Sequence, residues 1–340
     1  MSSTPSEPNG TERPRRGSEI QFEHVSKHYP GAAAPAVNDV TLSVEPGRIV
    51  VLLGPSGCGK TTLLKMVNRL YEPTGGHILI DGVETHVLPA PELRRRIGYV
   101  IQQTGLFPHM RIEENVAVVP RLLHWDQPRI DRRIDALLDL VGLSPASYRR
   151  RFPTQLSGGE QQRVGLARAM AADPTTMLMD EPFGALDAIT RARLQDELIR
   201  IHHRLGQTIL FVTHDIEEAI KLADRIAVMR QGVVVQYDTP LKIVMEPADN
   251  FVSELVGADD TLRRLSLISV WSVARPLNGV RPEPEISATS DLRTALGLLL
   301  ESRAPALTVL DNDDKPVGLV DLEAIQSASG PQSIGAKAAP

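Results

Sequence analysis

The chain alternates short apolar runs with longer segments whose apolar residues recur every three or four positions. Residues 49–53, Ile-Val-Val-Leu-Leu, form an uninterrupted run of strand length. Leu63, Met66, Val67 and Leu70 follow at i, i+3, i+4 and i+7, one face of a helix. Residues 19–26 and 36–44 read as strands of a small β-rich region, and 77–80 as a short strand between turn signals at Gly75-Gly76 and Asp81-Gly82. Residues 93–99 lead into a strand that runs out at Gln102 and Gln103. From 111 to 143 the pattern is helical, with Ile130, Ile134, Leu137, Leu138 and Val141 on one stripe. A helix over 161–171 precedes an apolar strand that closes on Asp180-Glu181. The turn 184–187 opens a long amphipathic helix to about 205. The strand 208–213 ends in His214-Asp215, and 226–229 with 233–236 form a hairpin around Arg230-Gln-Gly232. Apolar strands alternating with amphipathic helices predict an α/β fold.

Beyond Gly257 the pattern is shorter. Residues 290–300 read as a helix with Leu292, Ala295, Leu296 and Leu299 on one face. Strands at 306–311 and 317–320 flank the polar turn 312–315, and 322–327 reads as a last helix. Residues 1–17, rich in Ser, Pro, Glu and Arg, lack periodicity and read as a disordered tail; 328–340 read as a loose one. A length of 340 residues suggests about two domains.

Charge and composition then exclude classes. A net charge of −5 gives no sequence-wide basic field, so nucleic acid is not an expected partner. The arginine runs 94–96 and 149–151 read as solvated faces. Cys58 is the only cysteine, which rules out a disulfide framework and fits a reducing cytosol. No apolar run approaches the ~18 residues a spanning helix needs, and no secretory signal is visible, so any membrane role runs through a partner.

The chemistry centres on 54–62, Gly-Pro-Ser-Gly-Cys-Gly-Lys-Thr-Thr, whose first eight residues fit G-x-x-x-x-G-K-[ST] without mismatch. The match lies between a strand and a helix, the context a phosphate-binding loop requires. Gly54, Gly57 and Gly59 let the backbone turn N–H groups toward one point, and the helix adds its positive end. Pro55, Ser56, Cys58 and Thr62 complete the cradle. Lys60 is expected to reach the β- and γ-phosphates and Thr61 to take one Mg²⁺ position. Asp180 would hold Mg²⁺ through water, and Glu181 would polarise the attacking water, both at the carboxyl end of a sheet. His214, also at a strand's end, could hydrogen-bond a γ-phosphate. Gln102 could point an amide at a metal-bound phosphate, although most surface glutamines do nothing chemical. Ser157 with Gly158 and Gly159 makes a second anion site; a plain serine cap explains Ser157 but not the two glycines. Tyr29 sits in a loop where a ring could stack on a base, or simply pack.

Taken together, 54–61, Gln102, Leu-Ser-Gly-Gly-Glu at 156–160, 177–181, Gly-Ala-Leu-Asp at 184–187 and His214 resemble, in order and spacing, the nucleotide-binding subunit of an ABC transporter over roughly 19–257. The resemblance implies a P-loop NTPase of ABC type, with a RecA-like core and β-rich and helical subdomains. It makes Tyr29 the adenine-stacking ring, and Gln102 the link to the membrane partner and a residue of the metal site. Glu181, His214, Lys60 and Gln102 become the catalytic set. Ser157, Gly158 and Gly159 would bind ATP held by a second copy, with Asp187 across the dimer interface. ATP and Mg²⁺ are implied, as are transmembrane permease subunits and, indirectly, a substrate-binding protein. The place implied is the cytoplasmic face of the plasma membrane, peripherally bound.

The stretch 97–110, the Val-Val-Pro-Arg-Leu-Leu at 118–123, and 180–187 followed by Ile189-Thr190-Arg191 resemble the branch that imports glycine betaine, carnitine, choline or proline-like solutes. An importer for another small solute, a soluble ABC ATPase and a non-catalytic ATP-binding regulator are the rival readings. The domains expected are 18–257 for ATP and 258–327 for a connector, including 261–280, and a small α+β region resembling a single degenerate CBS module. Its segment 318–324, Gly-Leu-Val-Asp-Leu-Glu-Ala, lacks the hydroxyl and final acid of nucleotide-binding CBS modules, so dimer contact, or salt sensing through the acidic turn 311–314, competes with ligand sensing.

Overall fold

The computed structural model describes residues 17–102, 105–184, 186–277 and 281–328. The tails read at both ends lie outside the described residues except for Gly17 and Ala328, as do Gln103, Ala185 and the stretch 278–280. The chain forms two compact units that meet between Val234 and Val235.

The first unit runs β1 (Ile20–Lys27), β2 (Val37–Val44), β3 (Ile49–Leu53), α1 (Lys60–Val67), β4 (Gly75–Ile80), β5 (Val83–Glu84), α2 (Ala90–Arg96) and β6 (Ile97–Val100). It continues with α3 (Ile112–Leu122), α4 (Gln127–Leu140), α5 (Pro145–Tyr148), α6 (Gly158–Ala169), β7 (Thr176–Asp180), α7 (Ala188–Leu205), β8 (Thr208–Thr213), α8 (Ile216–Leu222) and β9 (Arg225–Arg230). The chain crosses the division within β10 (Val233–Asp238).

Two sheets build this unit. One has the order β2-β1-β4-β5, with each pair antiparallel. The other has the order β10-β9-β3-β8-β7-β6, in which β9, β3, β8, β7 and β6 are mutually parallel. Strand β3 is buried along its whole length, as are β7 and β8. A parallel strand covered on both faces has no polar side to show, which is why 49–53 is continuously apolar. Each buried Leu or Val contributes roughly 1.5–3 kcal/mol, so these strands anchor the unit.

Three readings change. Gly75-Gly76 lies inside β4 and is not a turn; a Cβ on Gly76 would come within 2.2 Å of the His24 carbonyl oxygen on neighbouring β1. The helical stretch 111–143 is two helices, because His124 takes φ 55° and Asp126 then caps α4 through the Arg129 N–H. The arginine runs are not simply solvated. Arg94 donates to the Asn68 and Arg69 carbonyls beyond α1, and Arg149 joins Glu113, Asp131 and Asp135 across α3 and α4.

The second unit holds α9 (Pro240–Met245), α10 (Asn250–Val256), α11 (Thr261–Leu265), α12 (Val270–Val273), β11 (Glu285–Ser287), α13 (Leu292–Ser302), β12 (Ala306–Leu310), β13 (Pro316–Asp321) and α14 (Leu322–Ala328). Strand β11 pairs parallel to β12, and β12 antiparallel to β13. Leu265, Ile268 and Val270 are buried with Leu292, Leu299 and Leu307, so the segment read as a connector contributes to this core. Leu241 of α9 packs on the same cluster. That packing places 240–256 with the C-terminal unit, although the sequence pattern alone joins these helices to the ATP-binding part.

Candidate functional site

The sheet order assembles the site. Residues at the carboxyl ends of parallel strands share one edge. Gly54 follows β3, His214 follows β8, Asp180 ends β7, and Gln102 lies just past β6. Because β8 is threaded between β3 and β7, these four chain segments stand side by side in the order phosphate loop, histidine, acids, glutamine.

Within the loop, two glycines are required by close approach. A Cβ on Gly54 would lie 2.3 Å from the Met229 carbonyl oxygen, and one on Gly59 would lie 2.2 Å from that of Ala36. Lys60 begins α1, is almost fully buried, and donates to the Gly54 and Pro55 carbonyls at 2.6 and 3.0 Å. Cys58 is buried beside it, 3.8 Å from the ammonium. The Thr61 hydroxyl donates to Asp180 at 2.8 Å, which brings together the two residues expected at the metal. Burial pushes the Asp180 carboxyl above its usual range, against the Thr61 hydrogen bond and the Lys65 ammonium 3.9 Å away. A carboxylate desolvated in this way favours a cation at the site.

Glu181 is held at φ 45°, a region that strains a residue with a Cβ. Its N–H donates to the Val212 carbonyl of β8, which holds the turn in place. Its Oε2 accepts from the Gln102 amide at 3.3 Å and lies 3.2 Å from His214 Nδ1. Three residues expected to be catalytic thus converge on one oxygen, and Gln102 reaches Glu181 in this arrangement.

Ser157, Gly158, Gly159 and Asp187 are gathered elsewhere, on the wall of a cleft of about 740 Å³ that the phosphate loop does not line. Ser157 caps α6, and Glu160 answers by accepting from the Ser157 N–H at 2.7 Å, a reciprocal box. The Tyr148 hydroxyl on Glu160, with that N–H, holds the Glu160 carboxyl below its usual range. The paired glycines have separate causes. A Cβ on Gly159 would meet Thr190 Cγ2 at 2.7 Å, whereas one on Gly158 would come no nearer than 4.0 Å to any described neighbour, Leu186 Cδ2, and would only narrow the cleft. Asp187 caps α7 through the Thr190 N–H, which lowers its carboxyl.

Tyr29 lies half-buried past the end of β1, its ring edge-on to Tyr71 at 5.9 Å with an interplanar angle of 89°. Tyr71 and Lys65 were not read from the sequence, and Arg191 was read only as part of the family-like stretch after Asp187, with no role of its own. Among the described residues no group of three His, Cys, Asp or Glu side chains could hold a metal by itself. No helix of the described residues is long and apolar enough to cross a membrane.

Residues 37–184 match the family model described as ABC transporter. The osmoprotectant import ATP-binding protein OsmV of Salmonella typhimurium is 47% identical over 92% of this chain and 81% of its own. The glycine betaine/carnitine/choline transport ATP-binding protein OpuCA of Bacillus subtilis is 46% identical over 90% of this chain and 79% of its own. The dimeric ATP-binding cassette MJ0796, solved in a post-hydrolysis state with ADP and Pi, superposes with a TM-score of 0.59 at 32% identity, over 65% of this chain and 98% of its own.

Proposed function

The chain belongs to the ABC transporter family and is an ATPase, and from that premise we propose that it energises an importer of quaternary-amine osmoprotectants such as glycine betaine, carnitine or choline. The observation that carries the solute class is identity near 47% along almost the whole chain to importer subunits for those solutes. The ATP-binding part works as a dimer, peripherally at the cytoplasmic face of the inner membrane, against transmembrane permease subunits served by a substrate-binding protein. The β11-α13-β12-β13-α14 order supports a single CBS-like module within 258–327.

The geometry supports a divided site. Lys60, Thr61 and the loop N–H groups from 54–62 bind the phosphates, and the Tyr29 ring carries the adenine. Ser157, Gly158 and Gly159 of a second copy close on the γ-phosphate, and Asp187 lies at that junction. The separation of these residues from the phosphate loop within one chain is what a sandwich of two copies needs. Thr61 and Asp180, two hard oxygen donors 2.8 Å apart, fit Mg²⁺, which usually keeps waters and phosphate oxygens rather than an all-protein cage. Gln102 completes that site. When bound, Mg²⁺ neutralises charge on the β- and γ-phosphate oxygens. Glu181 takes the proton of the attacking water as the water oxygen bonds phosphorus and the bond to ADP breaks. His214 orients Glu181 and the γ-phosphate, and the loop amides and Lys60 stabilise the developing charge. Motion passes through the segment after Gln102. A groove of about 300 Å³ there, lined by Phe107, Val118 and Val119 together with Arg94, Arg95 and Arg168, suits a permease element that offers both apolar side chains and hydrogen-bond acceptors.

Uptake of labelled glycine betaine, choline and carnitine by cells lacking the chain tests the reading. Cells would carry wild type or Glu181→Gln, at low and high external salt. Uptake restored by wild type alone and raised by salt is expected. No difference for all three solutes overturns the solute class.

A further inference from the structure

Behind Glu181 and His214 lies a closed ring of contacts. His214 Nδ1 meets Glu181 Oε2, and Asp215 follows His214 directly. Asp215 uses both carboxylate oxygens. Oδ1 caps α8, accepting from the Glu217 and Glu218 N–H groups, and Oδ2 takes Arg191 Nη1 at 3.1 Å. The other fork of the same guanidinium donates to the Leu186 carbonyl at 3.1 Å, in the turn that ends at Asp187. That turn runs back to Glu181 through the Gly184 N–H on the Glu181 carbonyl. The ring surrounds a cavity of about 40 Å³ whose lining includes Glu181, Arg191, Thr213, His214, Asp215 and Glu218. Among the described residues the buried Arg191 Nε has no hydrogen-bond partner, and a cavity of this size has room for the water that would satisfy it.

We propose that Arg191 is a positioning residue for hydrolysis, tying the turn that carries Asp187 to the turn that carries His214. A planar guanidinium can hold two acceptors at a set spacing, whereas an ammonium cannot. Movement of the Asp187 turn, where the second copy closes, therefore reaches His214 and Glu181 through a rigid fork rather than through flexible backbone. The consequence is that the chemical step depends on closure while nucleotide binding at the phosphate loop does not. The proposal rests on the hydrolytic roles given above to Glu181 and His214.

The test is a double-mutant cycle on full-length chain, read as kcat and KM for ATP together with melting temperature. Arg191→Met is expected to lower kcat about tenfold, the effect of losing charge-assisted hydrogen bonds, with KM unchanged. Arg191→Lys should recover only part of that loss. In a His214→Ala background, Arg191→Met should cost little more, because the residue it positions is gone. Asp215→Asn keeps the cap on α8 but weakens the fork, and should reproduce the fall in kcat with an unchanged melting temperature. Multiplicative losses in the double mutant would overturn the proposal alone. So would a rise in KM matching any fall in kcat. A His214→Ala chain that turns over normally would overturn the role given to His214 and the proposal with it.

Discussion

Replacing Glu181 by glutamine isolates proton acceptance from every other property of that side chain. Glutamine has the same length, and its amide oxygen can still accept from the Gln102 amide that reaches Glu181 at 3.3 Å. The backbone at φ 45° is retained, so the strain of ~1–3 kcal/mol held there is the same in both chains. Lys60, Thr61 and the loop N–H groups, which carry the phosphates, are untouched. ATP affinity should therefore stay within about threefold. Turnover should fall by ~10²–10⁴-fold, the usual cost of losing a general base, or about 2.7–5.4 kcal/mol at 1.36 kcal/mol per tenfold. Phosphate release under single-turnover conditions, paired with equilibrium ATP binding and a melting curve, separates the terms. A variant that hydrolyses at more than about half the normal rate removes Glu181 as the base.

Two further outcomes follow from packing and burial. Gly159→Ala places a methyl 2.7 Å from Thr190 Cγ2 and should destabilise the chain by roughly 1–3 kcal/mol, while Thr190→Ser in the same chain, which deletes that methyl, should recover most of the loss in denaturant melts. Glu218 is buried, and its desolvation, opposed by the Thr213 and Gln195 hydrogen bonds, raises its carboxyl above the usual glutamate value. The folded chain then holds a proton that the unfolded chain has released, so stability is full below the unfolded value and is lost as pH rises through the folded one. Glu218→Gln removes that loss; its melting temperature relative to wild type should climb as pH rises above the ordinary glutamate value of about 4.3, and a flat difference would refute the shift.

The local features were legible because they depend on neighbours in sequence. A strand buried on both faces must be apolar throughout, so 49–53 declares itself. The turn read at 184–187 does open α7, which Asp187 caps through the Thr190 N–H. The glycines at 75 and 76 were misleading for the opposite reason. They suggest a turn, and only the neighbouring strand shows that they lie in a sheet, where the His24 carbonyl leaves no room for a Cβ at Gly76. Arg149 likewise looks solvated until Glu113, Asp131 and Asp135 are brought around it by the packing of two helices.

The sequence by itself determined the phosphate loop, the order of the motifs and the chemistry of each residue type, because these are set by spacing within a few residues of one another. Tertiary structure decided which of them meet. Thr61 and Asp180, 119 positions apart, come within a hydrogen bond only because β8 is threaded between β3 and β7. The same threading sets His214 and Gln102 on one oxygen of Glu181, while the path of α6 and α7 carries Ser157 and Asp187 to a different wall. Strand order and helix packing are long-range choices made by burial, and no local pattern encodes them.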